Sequence, residues 1–300
     1  MPLFSIVIAN YNYGRFLEDA IKSVLTQSCQ DLELIICDAA SSDNSVEIIK
    51  KYANGLPPNT SYDDWARTLS SQRSDSRAQI LTWWCSEKDG GQSDAFNKGF
   101  AHARGRFLTW LNADDVLFPG ALMAIAKECE RHPGCEWFTG SSAYVDSDLR
   151  LTRFFCAHRF SAIRAIYGML MVGGPSSFFT KRLLDSVGGV DESLHFLMDI
   201  DLWYKFFLET GARFSRTRTP IFAYRIHADS KMSGADVEDC EANRKSRDRA
   251  AAELKLLARR RNLKSGAIRK IATLLTFSPW DKMYSMWKEW SMKGKLVCNA

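Results

Sequence analysis

At 300 residues the chain is about twice a single-domain length of roughly 150, so it holds either one large α/β domain with an appendage or two modest domains. Apolar residues at 46%, charged residues at 25% and aromatics at 12% exclude a disordered chain, a collagen and a small disulfide scaffold. Forty Lys plus Arg against 35 Asp plus Glu leave a net charge of +5, too small a surplus to mark a nucleic-acid binder, and no nucleic-acid partner is expected.

The eight cysteines are scattered, with neither a C-x-x-C pair nor histidines at zinc-site spacing, and read as buried reduced thiols. The apolar run at residues 3–9 is far too short for a signal peptide or an anchor and lacks a basic region before it, so the expected location is cytoplasmic.

Residues 3–9 are β-rich and run into the turn formers Asn10-Tyr11-Asn12-Tyr13-Gly14, which predicts a buried strand ending in a loop. Phe16, Leu17, Ala20, Ile21, Val24 and Leu25 then recur at helical spacing. Residues 32–37 form a second strand, with Asp38 at its end, and Asn44 with Glu47 offers a capping box for the next helix. This β-α-β-α order predicts a parallel sheet with right-handed crossovers, whose ligands bind beyond the carboxyl ends of the strands. Residues 55–78 form a polar excursion. A third strand is predicted at 80–85, a helix at 94–103, a strand at 106–111 ending in Asn112-Ala113-Asp114-Asp115, a helix from Pro119 to about Arg131 and a strand at 136–146. The next stretch is mixed, with helices expected at 161–170 and 199–209 and a closing strand at 220–225. From residue 236 the composition turns basic: residues 241–300 carry 15 Lys plus Arg against five Asp plus Glu, and Trp280, Tyr284, Trp287 and Trp290 interleave with lysines. The expected division is therefore a domain at 1–235 and a helical extension at 236–300.

Asp114 and Asp115 sit at a strand end, where hard divalent ions take one or two protein carboxylates together with diphosphate oxygens. The alternative is that one carboxylate caps the following helix and the other is solvated. Asp199 and Asp201 lie among apolar residues, a setting that raises a carboxyl pKa toward that of a general base, but residues two apart on a helix face different ways, so one at most faces a shared site. The rival reading makes them an N-cap and a salt bridge. His227 suits a phosphate, a metal or a purely structural role. Gly90-Gly91 and Gly173-Gly174 match no phosphate-loop pattern.

Taken in order, these segments resemble the family 2 inverting glycosyltransferases over roughly residues 3–232. Ser5-Ile6-Val7-Ile8-Ala9-Asn10-Tyr11-Asn12 resembles the family's opening strand, and Cys37-Asp38 running to Ser45 its second strand end. Ser86 to Gly99, together with Trp110 to Asp115, resembles a branch that builds bacterial cell-surface polysaccharides. The resemblance implies a GT-A fold, an α/β, Rossmann-like, mostly parallel mixed sheet flanked by helices, here with a C-terminal helical extension. It implies a nucleotide-sugar site at Ala9, Asn10, Tyr11, Asp38, Asp94, Asn97, Lys98, Asn112, Asp114 and His227, with Asp38 on the nucleotide base. It also implies Mn²⁺ or Mg²⁺ at Asp114, Asp115 and His227, and Asp199 as catalytic base. Asn112 stands where many members carry Asp, Met198 replaces Glu before Asp199, and Ala39 replaces a second Asp. The implied activity is metal-dependent, inverting transfer of a sugar, from a UDP-sugar donor, to a hydroxyl of a saccharide or lipid-linked acceptor. Two rivals stand beside it. A nucleotidyltransferase calls for a first loop rich in Gly and Lys or Arg, where residues 10–16 offer only Gly14 and Arg15. A non-catalytic carbohydrate-binding or scaffolding protein has no need of carboxylates at both the metal and base positions. The basic, Trp-rich extension either packs on protein or touches the inner face of the membrane peripherally.

Overall fold

The computed structural model describes residues 1–53, 55–60, 67, 80–157, 174–194, 197–230 and 279–297. The predicted alternation is present in β1 (Phe4–Asn10), α1 (Gly14–Leu25), β2 (Leu32–Asp38), α2 (Ser45–Ala53), β3 (Leu81–Ser86), α3 (Gln92–His102) and β4 (Phe107–Asn112). After these come β5 (Val116–Leu117), α4 (Ala121–Arg131), β6 (Trp137–Val145), β7 (Leu151–Phe155), β8 (Ser177–Thr180), α5 (Lys181–Ser186), α6 (Met198–Tyr204), β9 (Phe214–Arg225) and α7 (Pro279–Met292). The strands join in the order β3-β2-β1-β4-β8-β6-β9-β5, with β7 on the second half of β6. The first four are mutually parallel, whereas β8 runs antiparallel to both β4 and β6. The sheet is thus mixed, and parallel over its β3-β2-β1-β4 half.

Successive side chains of a strand point to opposite faces, and β1 shows the consequence. Phe4, Ile6 and Ile8 join Leu17, Ile21, Val24, Ile49 and Ile125 of α1, α2 and α4 on one face, while Val7 joins Ala95, Phe96 and Phe100 of α3 on the other. Helix α3 lies so close to β1 that a Cβ on Gly99 would come within 2.3 Å of the Val7 side chain, so only glycine fits there.

Several expectations need adjustment. Asp43, not Asn44, supplies the acceptor at the start of α2, its Oδ1 taking the N–H of Ser45 at 3.0 Å. The helix predicted at 199–209 is α6 followed by a π-helical turn, Lys205–Glu209. The closing strand predicted at 220–225 begins six residues earlier. The short strands β5, β7 and β8 carried no signal strong enough to read. The helix expected at 161–170, most of the 55–78 excursion and residues 231–278 lie outside the described residues, so the boundary at 235 is not tested. All six cysteines described are free thiols, and Cys37 and Cys85 are register partners on neighbouring strands.

Candidate active site

In the order 3-2-1-4, the chain crosses to opposite sides of the sheet on leaving β1, and the strand ends part there to open a crevice. Register places Asn10 beside Asp38 and Asp38 beside Ser86, with Asn112 one position from Asn10, so the four polar residues stand along one carboxyl edge. A cleft of about 1640 Å³ opens over them, larger than the ~300–1000 Å³ usual for one small ligand and roomy enough for two substrates.

Ala9, Asn10, Tyr11, Asn112, Asp114 and Asp199 all line this cleft. Asn10 is 4% exposed; its Nδ2 donates to Asp38 at 2.6 Å, and its Oδ1 is buried without a partner, a vacant acceptor at the cleft floor. Asp38 itself is turned inward. Its two oxygens receive Asn10 Nδ2, Ser41 Oγ, the Ser41 N–H and Ser86 Oγ, and it is 1% exposed, so it organises the loop after β2. Three other expected donor contacts also lie off the cleft wall. Asp94 accepts the Gly90 N–H at 2.7 Å, Asn97 holds the backbone of Val190 from both sides at 2.9 Å, and Lys98 pairs with Glu87 at 2.8 Å. They shape the loops around the cleft.

The adjacent carboxylates part company. Asp115 is fully buried; its Oδ1 accepts the Arg225 N–H at 2.9 Å and its Oδ2 accepts Asn112 Nδ2 at 2.7 Å. Burial first, and then the Asp114 charge, push its pKa well up. It braces Arg225 and Asn112. Arg225, which supplies that N–H, is held by Asp19 at 2.9 Å and stacks over Phe16. Asp114 faces the cleft, and its Oδ2 lies 3.1 Å from His227 Nε2, whose ring is seated on Phe16 with a centroid separation of 4.5 Å. Adjacent ligands on an octahedral ion with bonds of ~2.1 Å stand about 3 Å apart, and a carboxylate with an imidazole suits Mn²⁺. Asp114 and His227 therefore fit a divalent ion. Among the described residues no third His, Cys, Asp or Glu joins them, which leaves the other positions to substrate oxygens and water.

Asp199 is positioned by aromatic packing. Trp203, four residues on and on the same helix face, is fully buried between Trp110 of β4 and Trp137 of β6, stacked on both with centroids 5.7 and 5.0 Å away. This ladder fixes α6 against the sheet and sets Asp199 over the end of β4. Burial pushes the Asp199 carboxyl up to about 6, opposed by the Ile200 N–H that it accepts at 2.8 Å. Asp201 faces away from the cleft, 2% exposed and paired with Lys205 at 2.9 Å. One of the two acids serves the cleft, as the helical spacing requires.

Sequence reasoning missed Pro175, Tyr144 and Phe155, which also line the cleft beside Asp89, Gln92 and Tyr224. Gln92 Nε2 donates to Asn112 Oδ1 at 2.6 Å, and burial raises the Asp89 carboxyl. The Gly90-Gly91 pair was the available signal for this loop: Gly91 has φ +117°, which lets the chain turn into α3 with Asp89 at the cleft. Tyr144, Phe155 and Tyr224 form an aromatic wall, Tyr144 packing at 4.6 Å on Phe155 and 5.7 Å on Tyr224 while staying 39% exposed.

A switch-point cleft on a four-stranded parallel half joined to a mixed half, with helices on both faces, is the GT-A class of fold. Residues 5–150 match the model of glycosyl transferase family 2, and the chain carries a domain of that family. An uncharacterized glycosyltransferase of Nostoc sp. is 37% identical over 123 residues, covering 41% of this chain and 31% of the relative. Chondroitin synthase of Pasteurella multocida is 25% identical over 232 residues, covering 77% of this chain and 21% of the synthase. The chain thus spans a third or less of these relatives. Among solved structures, Staphylococcus aureus TarS 1-349 in complex with UDP-GlcNAc is similar at a TM-score of 0.58 and 15% identity, covering 94% of this chain and 78% of TarS. The mannosyltransferase PcManGT of Pyrobaculum calidifontis, in complex with GDP-Man and Mn²⁺, is similar at 0.53 and 15%, covering 96% and 84%.

Proposed function

We propose that this protein is an inverting glycosyltransferase that moves a sugar from a nucleotide-diphosphate donor, a UDP-sugar, to a hydroxyl of a saccharide or lipid-linked acceptor in cell-surface polysaccharide synthesis. The observation that carries the reading is that Asp199, with its carboxyl raised to about 6, and Asp114, which His227 backs from behind the cleft wall, open onto one cleft. A base with a pKa near working pH is mostly ionised yet still accepts a proton readily. Asp199 takes the proton of the acceptor hydroxyl as that oxygen bonds to the anomeric carbon. The bond from that carbon to the diphosphate oxygen breaks on the opposite face and its electron pair leaves with the diphosphate, so one displacement inverts configuration. Asp114 and His227 would hold Mn²⁺ or Mg²⁺, which would supply neutralisation of the charge on that leaving group. Asn10 Oδ1, buried and vacant, offers an acceptor for a donor N–H or O–H, and the Tyr144 wall offers an apolar face for a sugar ring.

The complexes of TarS with UDP-GlcNAc and of PcManGT with GDP-Man and Mn²⁺ support a nucleotide-sugar donor and a divalent ion. Chondroitin synthase supports a polysaccharide product. The free cysteines suit a reducing, cytoplasmic setting. The test is nucleotide release from a panel of UDP- and GDP-sugars, with Mn²⁺ and with chelator. Release from one donor, stimulated by an acceptor saccharide, is expected; carbohydrate binding with no release from any donor would leave a non-catalytic protein.

A further inference from the structure

Helix α7 has two unlike faces. Tyr284 and Met292 pack into the cluster around Phe154, with the Phe154 and Tyr284 ring centroids 6.3 Å apart, and Glu289 accepts the Phe154 N–H at 3.3 Å. The chain after the helix pairs with the edge of β7: the Gly294 N–H donates to the Leu151 carbonyl at 2.8 Å, and the Leu151 N–H donates to the Lys295 carbonyl at 3.0 Å. On the other face Met283, Met286, Trp287 and Trp290 recur at helical spacing and are 59, 62, 55 and 82% exposed. The helix is already anchored by its inner face, so packing gives no reason for four large apolar side chains outside.

Charge identifies what covers them. Residues 279–297 carry four lysines, Lys282, Lys288, Lys293 and Lys295, against Asp281 and Glu289, and Glu289 is turned onto the Phe154 N–H. Lys288 lies 5.4 Å from the Trp287 ring, and Lys293 and Lys295 are exposed just beyond the helix. Tryptophan and methionine beside lysine suit the boundary between acyl chains and anionic headgroups. We propose that this face of α7 seats the protein peripherally on an anionic phospholipid bilayer. No described helix is long and apolar enough to cross one. Phe154 faces α7, whereas Phe155, the next residue of β7, lines the cleft, so the seat and the aromatic wall are the two faces of one strand. That a lipid-linked acceptor is met there rests on the transferase reading; the seat itself does not.

The test is cosedimentation of the full chain with phosphatidylcholine vesicles, with and without phosphatidylglycerol, beside nucleotide release from a water-soluble acceptor. Binding is expected with phosphatidylglycerol, weaker without it and falling with salt. Trp287→Ala/Trp290→Ala should abolish it, and Lys288→Gln/Lys293→Gln/Lys295→Gln should lower it about fivefold for each lysine removed, both variants keeping wild-type nucleotide release. Absence of binding by the wild type, equal binding by the Trp variant, or a dimer in sedimentation velocity that dissociates on Trp290→Ala would overturn the proposal. Vesicle binding with no nucleotide release from any variant would remove the transferase reading and leave the seat standing.

Discussion

Asp199→Asn separates catalysis from stability by moving them in opposite directions. As the proton acceptor Asp199 contributes about 10²–10⁴ in rate, roughly 3–5 kcal/mol of barrier, so turnover of the variant should fall by that factor with UDP affinity unchanged. The carboxyl titrates near 6 in the fold against 3.8 as a free side chain, so between those values the folded state binds the proton more tightly than the unfolded chain. Stability from this group is therefore highest below about pH 4 and is lost as pH rises through 6. The displacement is worth roughly 3 kcal/mol, and water in the cleft that Asp199 faces reduces it to about 1–2 kcal/mol. Asn is neutral at every pH and escapes this penalty. The variant should melt a few degrees above wild type at about pH 8, with the gap closing near pH 4. Nucleotide-release kinetics and thermal melting across that range are the assays, and wild-type kcat should rise with pH to a plateau above 6. Near-normal turnover in the variant, or a lower melting point at high pH, would show that Asp199 is a structural acid and not the base.

Asp114→Ala should abolish the increment that Mn²⁺ adds to UDP affinity while leaving metal-free affinity nearly unchanged; calorimetric titration with Mn²⁺ and with chelator measures it, and identical wild-type affinities in the two would contradict the site. Trp203→Ala opens a cavity between Trp110 and Trp137 and should cost ~3–5 kcal/mol in denaturant unfolding, with a loss below ~1 kcal/mol showing that the ladder does not hold α6. Tyr144→Ala should raise acceptor KM about three- to tenfold, the worth of one ring contact, with donor hydrolysis unchanged; an equal effect on donor KM would place the donor sugar against that wall instead.

The primary structure alone determined the alternating elements, the polar carboxyl edge that holds Asn10, Asn112 and Asp114, and that at most one of Asp199 and Asp201 faces a shared site. These follow from local rules: burial of one strand face or helix stripe writes a period into the chain, and parallel strands leave their polar ends together. Tertiary structure decided which members of adjacent or nearby groups are free to act. Asp115 became a brace because the Arg225 N–H, 110 residues away, reaches its oxygen. Asp38 turned inward because Ser86, on a neighbouring strand, completes its donors. The aromatic wall arose where Tyr144, Phe155 and Tyr224 of three strands meet, and α7 found its place on β7 through contacts more than 130 residues apart. A hydrogen bond or ring contact between distant residues depends on how the sheet closes, and no spacing within a single segment encodes it.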